Sequence, residues 1–460
     1  MLDRFFGVSR NGSTVGREIV AGLTTFMVMA YIIFVNPAIL SFSGIEDLQG
    51  LGPGFAPTLA ATCLVAGIMS ILMGVVANYP LAMASGMGLN AVVAFQLVVG
   101  LKLPWPSAMG VIFIEGLIIA VLVLTNFREA VMKAIPLSLK QAISVGIGLF
   151  ILFIGLVNGG FVRPGTGIPV TLGEFNSIQA LVAVIGLFLI LALIVQKVRG
   201  ALLIGIVLTT AIAIVLNALS GYRAFSTPGV AILPHHVLAI PDFSTFGSGI
   251  NFEVFSRVDI LSASLTIFSV LLADFFDTMG TVIGIGGKAG WLDEKGGLPR
   301  IKQVLFIDSL GAAFGGLAGA SSATTYIESA AGVAHGGRTG LASVVTGLLF
   351  LLALFFSPLI AVVPAQATAP ALIIVGFLMC TIVREIPFED FEEGFPALMT
   401  LVTMPFTYSI TNGIGAGIVS YTFIKLVRGK GTELHWMMYM VSFSFILYFS
   451  LDWLKGVFGL

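Results

Sequence analysis

Charge is scarce in this sequence. Its 460 residues carry 22 Lys and Arg and 23 Asp and Glu, 10% of the chain, where a soluble domain carries about 25%. An ordinary water-soluble protein is thereby excluded. Cysteine is scarcer still. Cys63 and Cys380 both lie in apolar runs, which favours two buried thiols over a disulfide framework. No basic tract interrupts the chain and the net charge is −1, so no nucleic-acid partner is expected. The adjacent His235 and His236 stand in a polar connection without further ligands, a weak metal signal. Neither G-x-x-x-x-G-K-[ST] nor H-E-x-x-H occurs, which removes an ATP-driven pump and a zinc hydrolase. Gly284-Ile-Gly-Gly287 is too short for a nucleotide loop and lies in an apolar run. The chain therefore reads as no enzyme, with neither cofactor nor metal, working from an ion gradient or from its substrate's own.

What is present in quantity is apolar length. Hydrophobic residues make up 57% of the chain, and the runs are too long and continuous for a transmembrane barrel. The fold class is an all-α polytopic membrane protein, with 55 glycines to let helices approach closely in lipid. Seven runs lie at roughly 19–40, 58–78, 86–100, 107–125, 138–158, 177–196 and 200–218. A polar connection, 219–257, contains the two histidines. Further runs follow at about 259–286, 303–319, 322–336, 340–357 and 369–383. Residues 395–428 read either as one interrupted segment or as a tight pair, and 436–453 as one more span. The total is about 14 segments. Arg4, Arg10 and Arg17 outnumber Asp3 and Glu18 before the first run, which places the N-terminus in the cytoplasm. No A-x-A-like site follows that run, so a cleaved signal peptide is not expected. In a strict count Lys425, Arg428 and Lys430 fall outside, against the charge rule.

Two stretches do not look like membrane helices. Ala320-Ser-Ser-Ala-Thr-Thr-Tyr-Ile-Glu-Ser-Ala-Ala-Gly332 is small, polar and carries Glu328. Its Thr324–Ile327 part favours extended backbone, and the small residues after Glu328 can start a helix. Such a break is tolerated at membrane depth only against protein or a cavity. Ala84-Ser-Gly-Met-Gly-Leu-Asn90 repeats the pattern, with Asn90 at an offset of 328 − 90 = 238 from Glu328. The same offset carries Asp274 onto Asn36 in Phe34-Val-Asn-Pro37. Paired interruptions in two halves point to the midplane site of a secondary transporter, and an odd, seven-segment unit makes the halves inverted.

Intramembrane acids are costly and mark function. Asp274 and Asp277 are i, i+3 neighbours and cannot comfortably ionise together, a state suited to proton coupling; the alternative is a structural pair bonded to Thr278 or Thr281. Glu328 with exposed main chain can read the donor and acceptor edge of a flat heterocycle. Asn90 serves either that edge or a helix–helix bond. Phe275 and Tyr326 are candidates to stack on an aromatic ligand. Asp308, placed near a membrane end, and His335, beside Arg338, read as structural. Glu115 has no evident partner.

Gly22-Leu-Thr-Thr-Phe26, Phe34-Val-Asn-Pro37, Gly86-Met-Gly-Leu-Asn90, Phe275-Phe-Asp-Thr278, Tyr326-Ile-Glu-Ser-Ala-Ala-Gly332, Gly337-Arg-Thr-Gly340 and Thr368-Ala-Pro-Ala-Leu372 together resemble the AzgA-like purine permeases of the nucleobase/ascorbate transporter superfamily. The resemblance runs from about Phe5 to the last span. It implies two inverted 7-segment repeats with short strands in broken segments 3 and 10. It further implies a core domain (1–135 and 258–358) and a gate domain (136–218 and 359–460); the segment count puts 219–257 between them on the extracytoplasmic side. Proton-coupled purine uptake by movement of the core against a dimerised gate scaffold in the cytoplasmic membrane is the activity implied. The family's binding carboxylates match Asp274 and Glu328, and its further functional positions match Gly88, Asn90 and Asp277. Phe275 and the 324–328 backbone, Thr325 and Ile327 included, would complete the substrate site, with Asp277, Asp274 or Glu328 taking the proton. Glu115 and Met279 depart from the pattern. The rivals are a carrier of uracil, xanthine or an anion on the same architecture, and a channel.

Overall fold

The computed structural model describes residues 2–43, 45–125, 135–165, 167–225, 229–234, 236–291 and 298–458. Eleven helices in it are long and apolar enough to cross a membrane. The first repeat holds α1 (Val15–Met29) continuing into α2 (Ile32–Leu40), then α3 (Phe55–Leu72). Strand β1 (Met83–Ser85) and helix α4 (Met87–Ala91), extended by π-helical turns over Val92–Gly100, form its third segment. Helices α5 (Trp105–Leu124), α6 (Leu137–Asn158), α7 (Ile178–Val195) and α8 (Ala201–Leu219) complete it. A small hairpin, β2 (Val162–Arg163) with β3 (Thr171–Leu172), decorates the α6–α7 loop.

The second repeat follows the same order: α9 (Ile260–Ala289), α10 (Ile301–Ala318), β4 (Ala323–Thr325) with α11 (Ser329–Ala334), α12 (Gly340–Ala353), α13 (Ala365–Cys380), α14 (Phe391–Thr407) and α15 (Ile410–Val427). The eleven long helices, the two broken segments and α14 give 11 + 2 + 1 = 14 segments among the described residues. Helix α16 (Trp436–Phe458) is an addition, lying along α15.

Side-chain caps fix where several helices begin. Thr14 accepts from Arg17 N–H, Asp259 from Ser262 N–H and Ser409 from Asn412 N–H, each satisfying a donor that the first turn leaves open. Helices α1–α3, α5, α9, α10 and α12 pack around the two broken segments, whereas α6–α8 and α13–α15 form a second group. Within the second group α7 and α8 lie on α13, and α14 and α15 lie on α6, with α6 against α13 at the centre. This exchange of partners is what an inverted pair of repeats produces.

The end of the chain settles an ambiguity. Residues 395–428 are a tight pair, α14 and α15, turning at Tyr408 (φ 51°). Lys425 Nζ therefore returns to the start of α14, where it bonds Glu392 at 2.7 Å, as Lys430 Nζ does, with Arg428 at 2.8 Å. The expectation that these cations lie across the membrane from the other basic loops came from counting one segment too few, and it is corrected.

Candidate functional site

The two broken segments meet strand to strand. β1 and β4 pair antiparallel, with Met83 opposite Thr325, Ala84 opposite Thr324 and Ser85 opposite Ala323. The central pair differs by 324 − 84 = 240 residues, two from the offset relating Asn90 to Glu328. Gly86 N–H donates to Ser322 O at 2.8 Å and Tyr326 N–H to Ala82 O at 2.9 Å. The pair is three residues long on each side and fully buried, so its backbone bonds compensate for the missing helical ones. Ser329 Oγ accepts from Ala82 N–H, and the Tyr326 hydroxyl donates to Ser85 O.

Asp308 is the strap beneath this pair. Its carboxylate accepts from Thr325 N–H and the Thr325 hydroxyl, both at 2.9 Å, and from the Thr278 hydroxyl at 2.7 Å. It thus joins α10, β4 and α9. It sits in the middle of α10, not near its end, which corrects its placement while leaving it a structural part. The same bonds occupy both donors of Thr325, so that residue's backbone N–H and hydroxyl are committed to Asp308 and not open to a ligand.

Glu328 is the residue before α11, where its position was expected from the change of composition. The Tyr31 hydroxyl at the start of α2 donates to Glu328 Oε1 at 2.6 Å. Tyr31 was not singled out from sequence; a lone phenol among Ala30, Ile32 and Ile33 was the available signal, because a buried Tyr hydroxyl needs a partner. Asn90, on α4, is fully buried, and neither its amide oxygen nor its nitrogen has a partner among the described residues. Asp274 is fully buried on α9, and its charge interactions run to Glu115, Asp308 and Asp277. Asp277 interacts in turn with Asp308 and Glu328.

The other expected positions divide. Phe275 is buried edge-on against Phe276, with ring centroids 5.3 Å apart. Ile327 is 48% exposed at the tip of the break, with its Cδ1 3.9 Å from where a Cβ on Gly284 of α9 would stand. Gly280, one turn from Asp277, is exposed, and no atom of the described residues lies within 4 Å of where a Cβ would sit. Gly88 contributes no side chain; a Cβ there would stand 2.5 Å from Ile147 Cγ2 of α6, making it a contact between the two helix groups. His335 Nδ1 lies 2.9 Å from Ala331 O, and Arg338 caps α11 through Val333 O and Gly337 O. Glu18 of α1, also unanticipated, accepts from Arg338 N–H and Thr339 N–H. His235 lies outside the described residues, and His236 is exposed in a loop. No cluster of His, Cys, Asp or Glu among the described residues could hold a metal.

A cavity of about 480 Å³ opens elsewhere, between Phe95–Leu101, Ser409 and Tyr448. It is mostly apolar and touches none of the acids. Around the strand pair lie a carboxylate bonded by a phenol, an amide without a partner among the described residues and a fully buried acid.

Residues 16–416 match the Xan_ur_permease model, described as a permease family. The chain belongs to that family. It is 39% identical to the adenine permease AdeP of Escherichia coli over 447 residues, 97% of this chain and 95% of AdeP. To the guanine/hypoxanthine permease PbuG of Bacillus subtilis it is 40% identical over 452 residues, 97% of this chain and 99% of PbuG. Among solved structures it resembles the transmembrane domain of the cyanobacterial bicarbonate transporter BicA, with a TM-score of 0.61 at 14% identity, covering 87% of this chain and 97% of that domain. That likeness supports the inverted-repeat fold and nothing about substrate. The chain is thus a multi-pass membrane transporter of the nucleobase/ascorbate superfamily, in its AzgA-like branch.

Proposed function

We propose that this permease takes up purine nucleobases, adenine or guanine/hypoxanthine, together with protons across the cytoplasmic membrane. The observation that carries the reading is a set of polar groups around the strand pair: Asn90 and Asp274, fully buried and without a hydrogen-bond partner among the described residues, and the half-buried Glu328, bonded by Tyr31 at one oxygen. Asn90 offers two donors and an acceptor, and Glu328 and Asp274 offer acceptors. A purine presents ring N–H groups and unprotonated ring nitrogens on one rigid edge, which such a set can match. A buried polar group without a partner costs about 1–3 kcal/mol, and a ligand that pairs with it recovers that. The names of AdeP and PbuG agree in substrate class.

In this reading Glu328 and Asp274 hold the base's N–H edge, Asn90 bonds the rest, and Phe275 borders the ring. The core (1–135 and 258–358) carries the site past the gate (136–218 and 359–460), which forms a homodimer in the lipid. The N-terminus lies in the cytoplasm and 219–257 outside.

The test is uptake of labelled hypoxanthine, then adenine, in cells lacking their own purine permeases, with and without a protonophore. Saturable uptake that the protonophore abolishes, and that unlabelled purines compete away, supports the reading. If only adenine enters, specificity changes and the class stands. If no nucleobase enters or competes although the protein is in the membrane, the purine reading fails.

A further inference from the structure

Helix α15 begins inside the protein, where Ser409, Ile410 and Thr411 are all buried. The first turn of a helix leaves four N–H groups without partners in the helix. In α15 all four are accounted for. Ser409 N–H donates to Met404 O at 3.2 Å, and Asn412 N–H to the Ser409 hydroxyl at 3.1 Å. The other two donors reach across to the first helix group. Ile410 N–H and Thr411 N–H both donate to Gln96 Oε1, at 2.9 and 3.4 Å, and Gln96 Nε2 donates in turn to the Thr411 hydroxyl. Gln96 is itself buried, in the third segment, on the π-helical turns that follow α4. One amide of one group thus supplies half of the cap of a helix in the other.

The residues beside it make the same crossing. Phe95 meets the Tyr408 ring edge-on, with centroids 5.7 Å apart, and Phe150 and Phe153 of α6 meet that ring at 5.5 Å. Tyr408 has φ 51°, a conformation that a residue other than glycine keeps only when its surroundings hold it. The cavity of about 480 Å³ adjoins the contact, lined from one group by Phe95, Gln96 and Val99 and from the other by Thr407, Ser409 and Asn412. The repeat has no matching contact at its other end. The offset of 238 carries Gln96 onto Ala334, exposed and without a polar side chain. Helix α8, which stands in the first repeat where α15 stands in the second, begins at Gly200 with no side-chain cap among the described residues. Because the repeats are inverted, the two positions lie toward opposite faces of the membrane. The groups are joined by a shared cap at one face and not by its counterpart at the other.

We propose that Gln96 is a latch that closes the extracytoplasmic end of the interface between the two helix groups, shut in this structure and released whenever the site opens outward. The inference rests on the reading above that the groups move past one another, and on the N-terminus lying in the cytoplasm, from which the segment count puts the start of α15 outside. Gln96 is a positioning residue, acting through α15 and not on the substrate. Parting the groups here takes the acceptor from Ile410 and Thr411 N–H together, so the contact is made or lost as a unit.

The experiment places a cysteine at Ile414, buried one turn below Thr411 on the same face of α15, in a background without Cys63 and Cys380. A membrane-impermeant maleimide is applied outside intact cells and the labelling rate is measured. With Gln96→Leu the rate should rise on the order of tenfold, the usual effect of losing a helix cap from one of two states. Gln96→Glu keeps an acceptor for both N–H groups and should label near the rate of the parent. Equal labelling with and without Gln96→Leu overturns the proposal, as does equal acceleration by Leu and Glu. If Gln96→Leu does not reach the membrane, Thr411→Val removes only the hydroxyl that Gln96 donates to; it should also speed labelling, and an unchanged rate overturns the proposal. Uptake of labelled adenine or hypoxanthine gives a second readout. In Gln96→Leu the half-saturating external concentration should fall several-fold without a rise in maximal rate, since the outward-open state is more populated. A lower maximal rate with unchanged half-saturation would mark a merely structural residue and count against the latch. The labelling needs no substrate, so if wild type carried no nucleobase the purine reading would fail and the latch would still be judged.

Discussion

Glu328 shows how a single residue can be prepared for a ligand. Its Oε1 is held by the Tyr31 hydroxyl, and its backbone sits at the change from strand to helix. Replacing it with Gln keeps the size and the bond from Tyr31 but removes the charge. Uptake by Glu328→Gln should fall roughly twofold to thirtyfold, since bonds to a charged group contribute about 1.5–3 kcal/mol against about 1 kcal/mol for neutral ones, a difference of about 0.5–2 kcal/mol. Expression and thermal unfolding should be unchanged. Normal uptake by this variant would remove Glu328 from the site. At this scale the sequence marks polar positions and not their partners. Asp274, Glu328 and Asn90 stood out because polar atoms in lipid are costly. Asp308 stood out equally, yet it is spent on Thr278 and Thr325, and composition cannot distinguish a spent carboxylate from an open one. Tyr31 and Glu18 act across about 300 residues of chain, on Glu328 and on Arg338, and no local pattern reveals such partners.

Among elements, the broken segments were the most legible and their boundaries came within a few residues, because strand-forming threonines and then small helix-starting residues mark them. Their pairing was not visible. A strand of three residues has too little sequence to specify a partner 240 positions away; the inverted repeat brings the two together. Gly88 is the element-level contact most open to test. It lies on α4 where that helix touches α6 of the other group, and its missing side chain admits Ile147. Adding one methyl there pushes against a branched side chain on a packed helix, an overpacking that costs about 1–3 kcal/mol. If the groups slide past each other during transport, Gly88→Ala should slow uptake several-fold without loss of expression. Ile147→Ala in the same protein should restore most of the rate. A double variant no faster than Gly88→Ala would show that the contact with α6 is not what limits motion.

For the whole molecule, the decisive feature is the closed turn of α14 and α15. Reading 395–428 as one segment leaves an even count but strands three cations on the wrong face; reading it as a pair brings them back to the acids at the start of α14. The pairing of Lys425 and Lys430 with Glu392 requires that the two helix ends share one side. Gln141 near the start of α6 reaches Glu385 beyond α13, and Ser138 reaches Glu393, which puts the start of α6 on that side too. Counting back from α6 through α5, the third segment, α3 and α1–α2 places Ser9 there as well, with His236 across the membrane. Single cysteines at Ser9, Thr432 and His236, each exposed, in a background without Cys63 and Cys380, should therefore label in two sets. In intact cells a membrane-impermeant maleimide should reach the cysteine at His236 and leave those at Ser9 and Thr432 unmodified until the membrane is opened. Labelling of Thr432→Cys together with His236→Cys would mean that α15 ends on the opposite face. The ion cluster would then have to be broken in the membrane-embedded protein, and the seven-plus-seven order would fail with it.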